Sequence, residues 1–230
     1  MASGCLRSAS VSIGKVLAPH QHFATIVCMS DLTNNTDPVF AAFAEARATL
    51  DAFIEGPGCL AGITHLADLI ETSLTTADGR LHACGNGGSM CDAMHFVEEW
   101  TGRFRGNRRA LSAISMGDPA QLTCIANDFG FDEIFARQIE ANGRAGDLLL
   151  VISTSGNSAN LIRAVEAAKE RGLVTAALLG KGGGAIAPLV DHAIVVPLAT
   201  TSDRIQELHI KIIHTVIELV ERRLFPENYA

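Results

Sequence analysis

From Arg80 onward the chain alternates short apolar segments with longer amphipathic ones, an order that few folds accept. The apolar segments Arg80–Cys84, Ala110–Ile114, Asp147–Ser153, Val174–Leu179 and Ala193–Val196 are predicted strands. Met90–Thr101, Pro119–Ala126, Phe131–Asn142, Asn160–Arg171 and Asp203–Leu224 are predicted helices. Short apolar strands joined by helices require an α/β fold: a parallel sheet with helices on both faces. Ligands of such sheets bind at the carboxyl ends of the strands, near the switch in strand order.

Two helices come before any strand. The first opens at Asp37-Pro38, with Asp37 as cap and Pro38 in the first turn. Its apolar face is Phe40, Phe43, Ala44, Leu50 and Phe53. The second runs from about Leu60 to Leu74 and presents Ile63, Leu66, Ala67 and Ile70. Their stripes need covering, so both helices are natural oligomer contacts. Residues 1–30 differ from the rest. They contain no Asp or Glu and resemble a transit segment in composition. The preferred reading is a poorly ordered extension or a mis-assigned start, with Met29 as the first residue. A single domain then occupies residues 31–230.

Composition narrows the function classes. Hydrophobic residues are 48% of the 230 and charged ones 19%, enough for a sizeable core and too apolar for disorder. The net charge is −7, and basic residues cluster only at Arg103–Arg109, which argues against nucleic acid. Six cysteines without a Cys-x-x-Cys pair read as reduced, mostly buried thiols of a cytosolic protein. No apolar run reaches membrane-spanning length.

Two loops carry chemistry. In Leu81–Ser89 an apolar run stops at Gly85-Asn86-Gly87-Gly88-Ser89 and a helix follows at once. Glycines allow close backbone approach, and the N–H groups of a first helical turn attract anions. The loop Ser153-Thr154-Ser155-Gly156-Asn157-Ser158 follows the most hydrophobic strand and precedes a helix. Its four hydroxyls make a neutral phosphate cradle without the lysine of nucleotide-binding loops, so a sugar phosphate fits better than a nucleoside triphosphate. Alone, that loop is equally an ordinary Ser-rich turn. Its pairing with Gly85–Ser89 favours a site. The glycine-rich loop Gly180–Gly184 reads as flexible and otherwise without function.

His95 and Glu99 are four residues apart on one helix face, which suits a shared metal or an acid/base pair; Glu98 is expected to point elsewhere. The last helix is apolar almost all round and reads as buried against another subunit. Within it, Gln206, Glu207, His209, Lys211 and His214 need partners. Asp203 and Gln206 also fit a capping box. Gln206 and His214 lie about 12 Å apart along an ideal helix axis. Spacing equally allows Glu207 with His214.

The run Cys84–Glu99 (CGNGGSMCDAMHFVEE) resembles the phosphoheptose isomerases, which are sugar isomerase (SIS) domains. So do Asn127-Asp128-Phe129-Gly130, Ser153–Ser158 and Asp203–His214. The likeness spans roughly Pro38 to Phe225. It implies a five-stranded, flavodoxin-like three-layer sandwich and a homotetramer with active sites between subunits. It implies phosphate binding by Ser89, Ser153, Thr154, Ser155 and Ser158, and substrate contacts from Asn86, Gly87, Gly88, Asn127, Asp128, Glu99 and Gln206. Glu99 matches the family's base and His214 its partner acid/base. His95, Glu99, Gln206 and His214 match positions that hold one zinc ion per subunit; the resemblance, and not the spacing, selects Gln206 over Glu207. Trp100 departs from the usual aliphatic residue, and residues 1–30 have no counterpart. The implied activity is conversion of sedoheptulose 7-phosphate to D-glycero-D-manno-heptose 7-phosphate in the cytoplasm, feeding lipopolysaccharide or another heptose glycan. The competing reading is a non-catalytic SIS protein that binds a sugar phosphate and a protein partner such as a replication initiator.

Overall fold

The computed structural model describes residues 37–230. The expectations for residues 1–30 lie outside them. Helices α1 (Pro38–Glu55) and α2 (Cys59–Thr75) lead into β1 (Leu81–Gly85), α3 (Gly88–Thr101), β2 (Ala113–Ser115), α4 (Pro119–Phe129) and α5 (Ala136–Asn142). Then come β3 (Leu148–Ser153), α6 (Ala159–Glu170), β4 (Val174–Leu179), β5 (His192–Val195) and α7 (Ser202–Leu224). The five strands form one parallel sheet in the order β2-β1-β3-β4-β5, as expected. The chain steps outward from β1 to β2, then returns past β1 to β3. The switch point is therefore the crevice between the carboxyl ends of β1 and β3.

Strand periodicity divides the core in two. Leu148, Leu150 and Ile152 pack with α2, α3 and α7 on one face, through Leu66, Ile70, Phe96, Trp100, Ile213 and Ile217. Leu149 and Val151 point to the other face, against Ile139, Leu161, Val165 and Ala168 of α5 and α6. Both faces of β3 are covered, which is why its sequence is apolar without alternation. Trp100 is fully buried, its ring 5.7 Å edge-on from Phe96.

Several expectations need correction. The strand expected at Ala110–Ile114 is shorter and later, because Leu111 N–H is taken by the Trp100 carbonyl at the end of α3 (3.0 Å). The helix expected over Phe131–Asn142 breaks into a 3₁₀ turn at Phe131–Glu133 and then α5; Glu133 and Ile134 N–H groups bond three residues back, to Gly130 and Phe131. α7 needs no other subunit to bury its apolar stripe: Ile205, Leu208, Ile212, Val216 and Val220 are covered within this chain, against α2 and α3. Of the four described cysteines Cys84 is buried and Cys59 half-buried, while Cys91 and Cys124 are exposed, so they are not mostly buried. α1 buries only Thr49 and Phe53 and leaves Phe40, Phe43, Leu50 and Ile54 exposed.

α7 also carries a fully buried imidazole. Neither His209 nitrogen has a hydrogen bond of normal geometry, and burial pushes the ring down to about 4, with the nearby Leu179 backbone opposing. A base depressed in the fold binds its proton more readily when unfolded. Its neutral form therefore supports the fold fully above about pH 6.5, and that support is lost as pH falls toward about 4, on the order of 3 kcal/mol in all. His209→Gln is expected to flatten this acid limb. Melting of both proteins between about pH 7 and 4 checks it: parallel curves would remove His209 as the cause.

Candidate active site

Two turns face each other across the switch point. β1 and β3 pair in parallel register, Gly85 beside Ile152, so the segments that follow them start together. Their amides lock: Asn86 Nδ2 donates to Asn160 Oδ1 (3.0 Å) and Asn160 Nδ2 to Asn86 Oδ1 (2.8 Å). Asn160, buried in the first turn of α6, escaped the sequence reading; an amide two residues after the hydroxyl-rich loop is the signal it gave.

Between the turns lies a cavity of about 70 Å³ lined by Asn86, Ser89, Ile152, Ser153, Thr154, Ser155, Ser158 and Leu161. That holds on the order of two waters, the scale of one compact oxyanion. Ser153 Oγ accepts from Gly156 N–H (3.0 Å) and Ser155 Oγ from Asn157 N–H (3.3 Å), so the loop folds around its own hydroxyls. Thr154 Oγ1 meets Ser202 Oγ at 3.1 Å. Ser158 is the N-cap of α6 yet makes no side-chain cap bond, which leaves its hydroxyl for a ligand.

The end of the glycine-rich loop, Gly183 to Ile186, braces this cradle. Ile186 N–H donates to Gly156 O (2.9 Å) and Ala185 N–H to Asn157 Oδ1 (2.9 Å). Sequence reasoning missed this because contacts donated by backbone N–H groups leave no residue-type signature in the donor segment.

The opposite end of α3 carries the titratable groups. His95 Nε2 lies 3.3 Å from Glu99 Oε1 and 3.3 Å from His214 Nε2 of α7. The His95 and His214 rings meet edge to face at 5.0 Å, and Phe104 lies 5.7 Å from His214 on a tilted ring. The Glu99 side chain is 14% exposed and His95 40%. Burial, then His95 and Lys211, hold His214 below the ordinary histidine value, while Glu99 and Glu98 pull the other way. Glu98 does not point away as expected: its Oε1 stands 3.6 Å from His95 Nε2. Asp92, one turn before His95, was also missed. Burial pushes its carboxyl up to about 6 against the pull of His95, and its Oδ2 is buried without a partner.

Gln206 is not a capping residue. Thr201 is the N-cap of α7 and makes no side-chain cap bond; the Gln206 amide instead sits over Gly88, where an added Cβ would come within 2.5 Å of Nε2. A side chain at that position would push the Gln206 amide aside. Glu207 pairs with Arg204. Asn127 and Asp128 lie exposed at the end of α4, bonded to each other (2.8 Å), and do not line the cavity.

One His95 nitrogen, one His214 nitrogen and one Glu99 oxygen all lie within 4.8 Å of one another. Ligand atoms about 2.0–2.2 Å from a tetrahedral zinc stand about 3.3–3.5 Å apart. The two 3.3 Å separations centred on His95 match those edges, and the donors are types that zinc accepts. His95, Glu99 and His214 fit such an ion, while the Gln206 amide lies over Gly88 at the start of α3.

The parallel sheet in this order, flanked by helices, is the fold of a sugar-isomerase (SIS) domain. Residues 43–180 match the family model described as SIS domain. Within that class the chain belongs to the phosphoheptose isomerase family. It is 56% identical to the phosphoheptose isomerase of Fusobacterium nucleatum over 158 residues, covering 69% of this chain and 81% of that protein. It is 51% identical to that of Cytophaga hutchinsonii over 186 residues, covering 81% and 97%. The solved structure of phosphoheptose isomerase from Neisseria gonorrhoeae superposes with a TM-score of 0.74 at 42% identity, over 80% of this chain and 96% of that one. Among the described residues no helix is long and apolar enough to cross a membrane.

Proposed function

We propose that this chain converts sedoheptulose 7-phosphate into D-glycero-D-manno-heptose 7-phosphate through a cis-enediol. One observation carries the reading: the phosphate-sized cavity and the Glu99–His95–His214 cluster occupy opposite ends of α3. Ser89 and Glu99 are about 15 Å apart along the helix axis, and side chains lean back toward the helix N-terminus. That gap suits a long open-chain sugar phosphate and leaves a triose short.

The hydroxyls of Ser89, Ser153, Thr154, Ser155 and Ser158 hold the phosphate, and the first turn of α6 adds its positive end. Asn86, Gly87, Gly88, Gln206, Asn127 and Asp128 contact the sugar. Glu99 takes the proton from the carbon beside the ketose carbonyl, giving the enediol, and returns it to the former carbonyl carbon. His214 moves the accompanying proton between the two oxygens. Zinc held by His95, Glu99 and His214, with Gln206 joining only by leaving its place over Gly88, would polarise the carbonyl and stabilise enediolate charge. A carboxylate on zinc is a weaker base, so Glu99 would act as the base when its oxygen is off the metal. The exposed apolar residues of α1 support burial against further copies, in a cytoplasmic homotetramer with active sites between subunits. The product then feeds a heptose-containing glycan such as lipopolysaccharide.

The test is a coupled assay on sedoheptulose 7-phosphate, run on size-resolved protein before and after dialysis against a chelator. Turnover by a tetramer is expected, lowered by the chelator and restored by zinc. Folded protein without turnover overturns the isomerase reading, and a fully active monomer overturns the assembly. Turnover and melting temperature both unmoved by chelation overturn the zinc assignment.

A further inference from the structure

Behind the Glu99–His214 pair lies a second charge pair that the proposed chemistry does not use. The Arg108 and Glu221 side chains are both completely buried, with Arg108 Nε donating to Glu221 Oε1 at 2.5 Å. The Tyr229 hydroxyl, just past the end of α7, donates to the other Glu221 oxygen at 3.0 Å.

The remaining Arg108 nitrogens go to backbone. Nη2 donates to the carbonyl of Glu99 at 2.6 Å. Nη1 donates to the carbonyls of Trp100 (2.9 Å), Gly102 (3.2 Å) and the adjacent Arg109 (3.1 Å). The Glu99 and Trp100 carbonyls lie in the last turn of α3 and Gly102 is its C-cap, where no helical N–H is left to meet them and the helix dipole is negative. On α7, Glu221 stands seven residues beyond His214, on the same face. One guanidinium thus grips the backbone of the residue carrying the carboxylate and, through Glu221, the helix carrying the imidazole.

We infer that Arg108, acting with Glu221, is a positioning residue that sets the separation of Glu99 from His214. The inference rests on the reading of those two groups as the acid/base pair. Stability alone explains the pair poorly, because desolvating two charges offsets most of their attraction and apolar residues of like volume usually serve as well. Geometry explains it better. A planar fork can bind a carboxylate and a row of carbonyls at once, and an ammonium group cannot.

The test uses Arg108→Lys and the double variant Arg108→Met/Glu221→Met, with kcat and KM for sedoheptulose 7-phosphate measured per folded subunit. Both are expected to lose at least about tenfold in kcat with KM within about twofold of wild type, since the phosphate cradle lies at the other end of α3. The double variant is expected to melt within a few degrees of wild type, because no charge is left buried alone. A folded double variant with wild-type kcat overturns the inference. So does a loss confined to KM. Should the double variant not fold, Arg108→Lys decides by the same kcat criterion. Glu99→Gln separates the two readings: an active Glu99→Gln protein sinks the acid/base assignment, while an inactive one beside a fully active Arg108 variant sinks only the positioning role.

Discussion

Glu99→Gln is expected to lower turnover by about 10²- to 10⁴-fold while sedoheptulose 7-phosphate still binds. The amide keeps the length and shape of the carboxyl, and its oxygen can still meet His95 Nε2, now 3.3 Å from Glu99 Oε1. What it lacks is the ability to take a proton from carbon. The groups proposed to hold the phosphate lie at the other end of α3, so affinity measured by calorimetry should stay within a few-fold of wild type. Most of the binding contacts persist in that variant, so kcat should carry the loss and KM should move little. Retained turnover would remove Glu99 as the base and leave His214 or Asp92 to be tested in that role.

The second large effect is expected from a change that touches no reacting group. Gly156 sits at φ +66°, and a Cβ there would lie 2.1 Å from the Gly183 carbonyl oxygen and 2.6 Å from its carbon. Both are backbone atoms and cannot swing aside. In Gly156→Ala the two loops must separate, which breaks the Ile186–Gly156 bond and pulls Gly156 N–H from Ser153 Oγ. The cost is about 1–3 kcal/mol in strain alone. With the hydroxyls no longer converging, KM for the sugar phosphate should rise at least about tenfold, equivalent to about 1.4 kcal/mol of binding. Melting curves and steady-state kinetics check both. A variant that melts and binds like wild type would show that the segment from Gly183 to Ile186 does not brace the cradle.

How much of this could be read from the residues differs by element. β3 is apolar at every position from Leu148 to Ile152 because both its faces are covered, so the strand and its burial announce themselves. The two loops were legible for a related reason: glycines and hydroxyls placed between a strand and a helix have few other uses. His95 and Glu99 share one helix, so the 3.6-residue repeat already puts them on one side. Residues that meet only through the fold were illegible. Spacing left Gln206 between a capping role and a ligand role, until α7 began a residue earlier than Asp203 and its amide settled over Gly88. Arg108 stood out only as part of the basic cluster Arg103–Arg109, yet its side chain is completely buried. α7 looked like an intersubunit helix because its apolar repeat cannot say which surface covers it.

By itself the sequence determined the strand and helix repeat, the parallel sheet with helices on both faces, and the two polar turns. Each is set by neighbours along the chain: spacing, turn chemistry and side-chain volume. Tertiary structure alone decided that His214 comes within 3.3 Å of His95, that the end of a glycine-rich loop buttresses the cradle, and that one guanidinium holds two helices together. Those contacts join residues dozens of positions apart. Their partners are chosen by how the layers pack, and no local pattern in the chain encodes that choice.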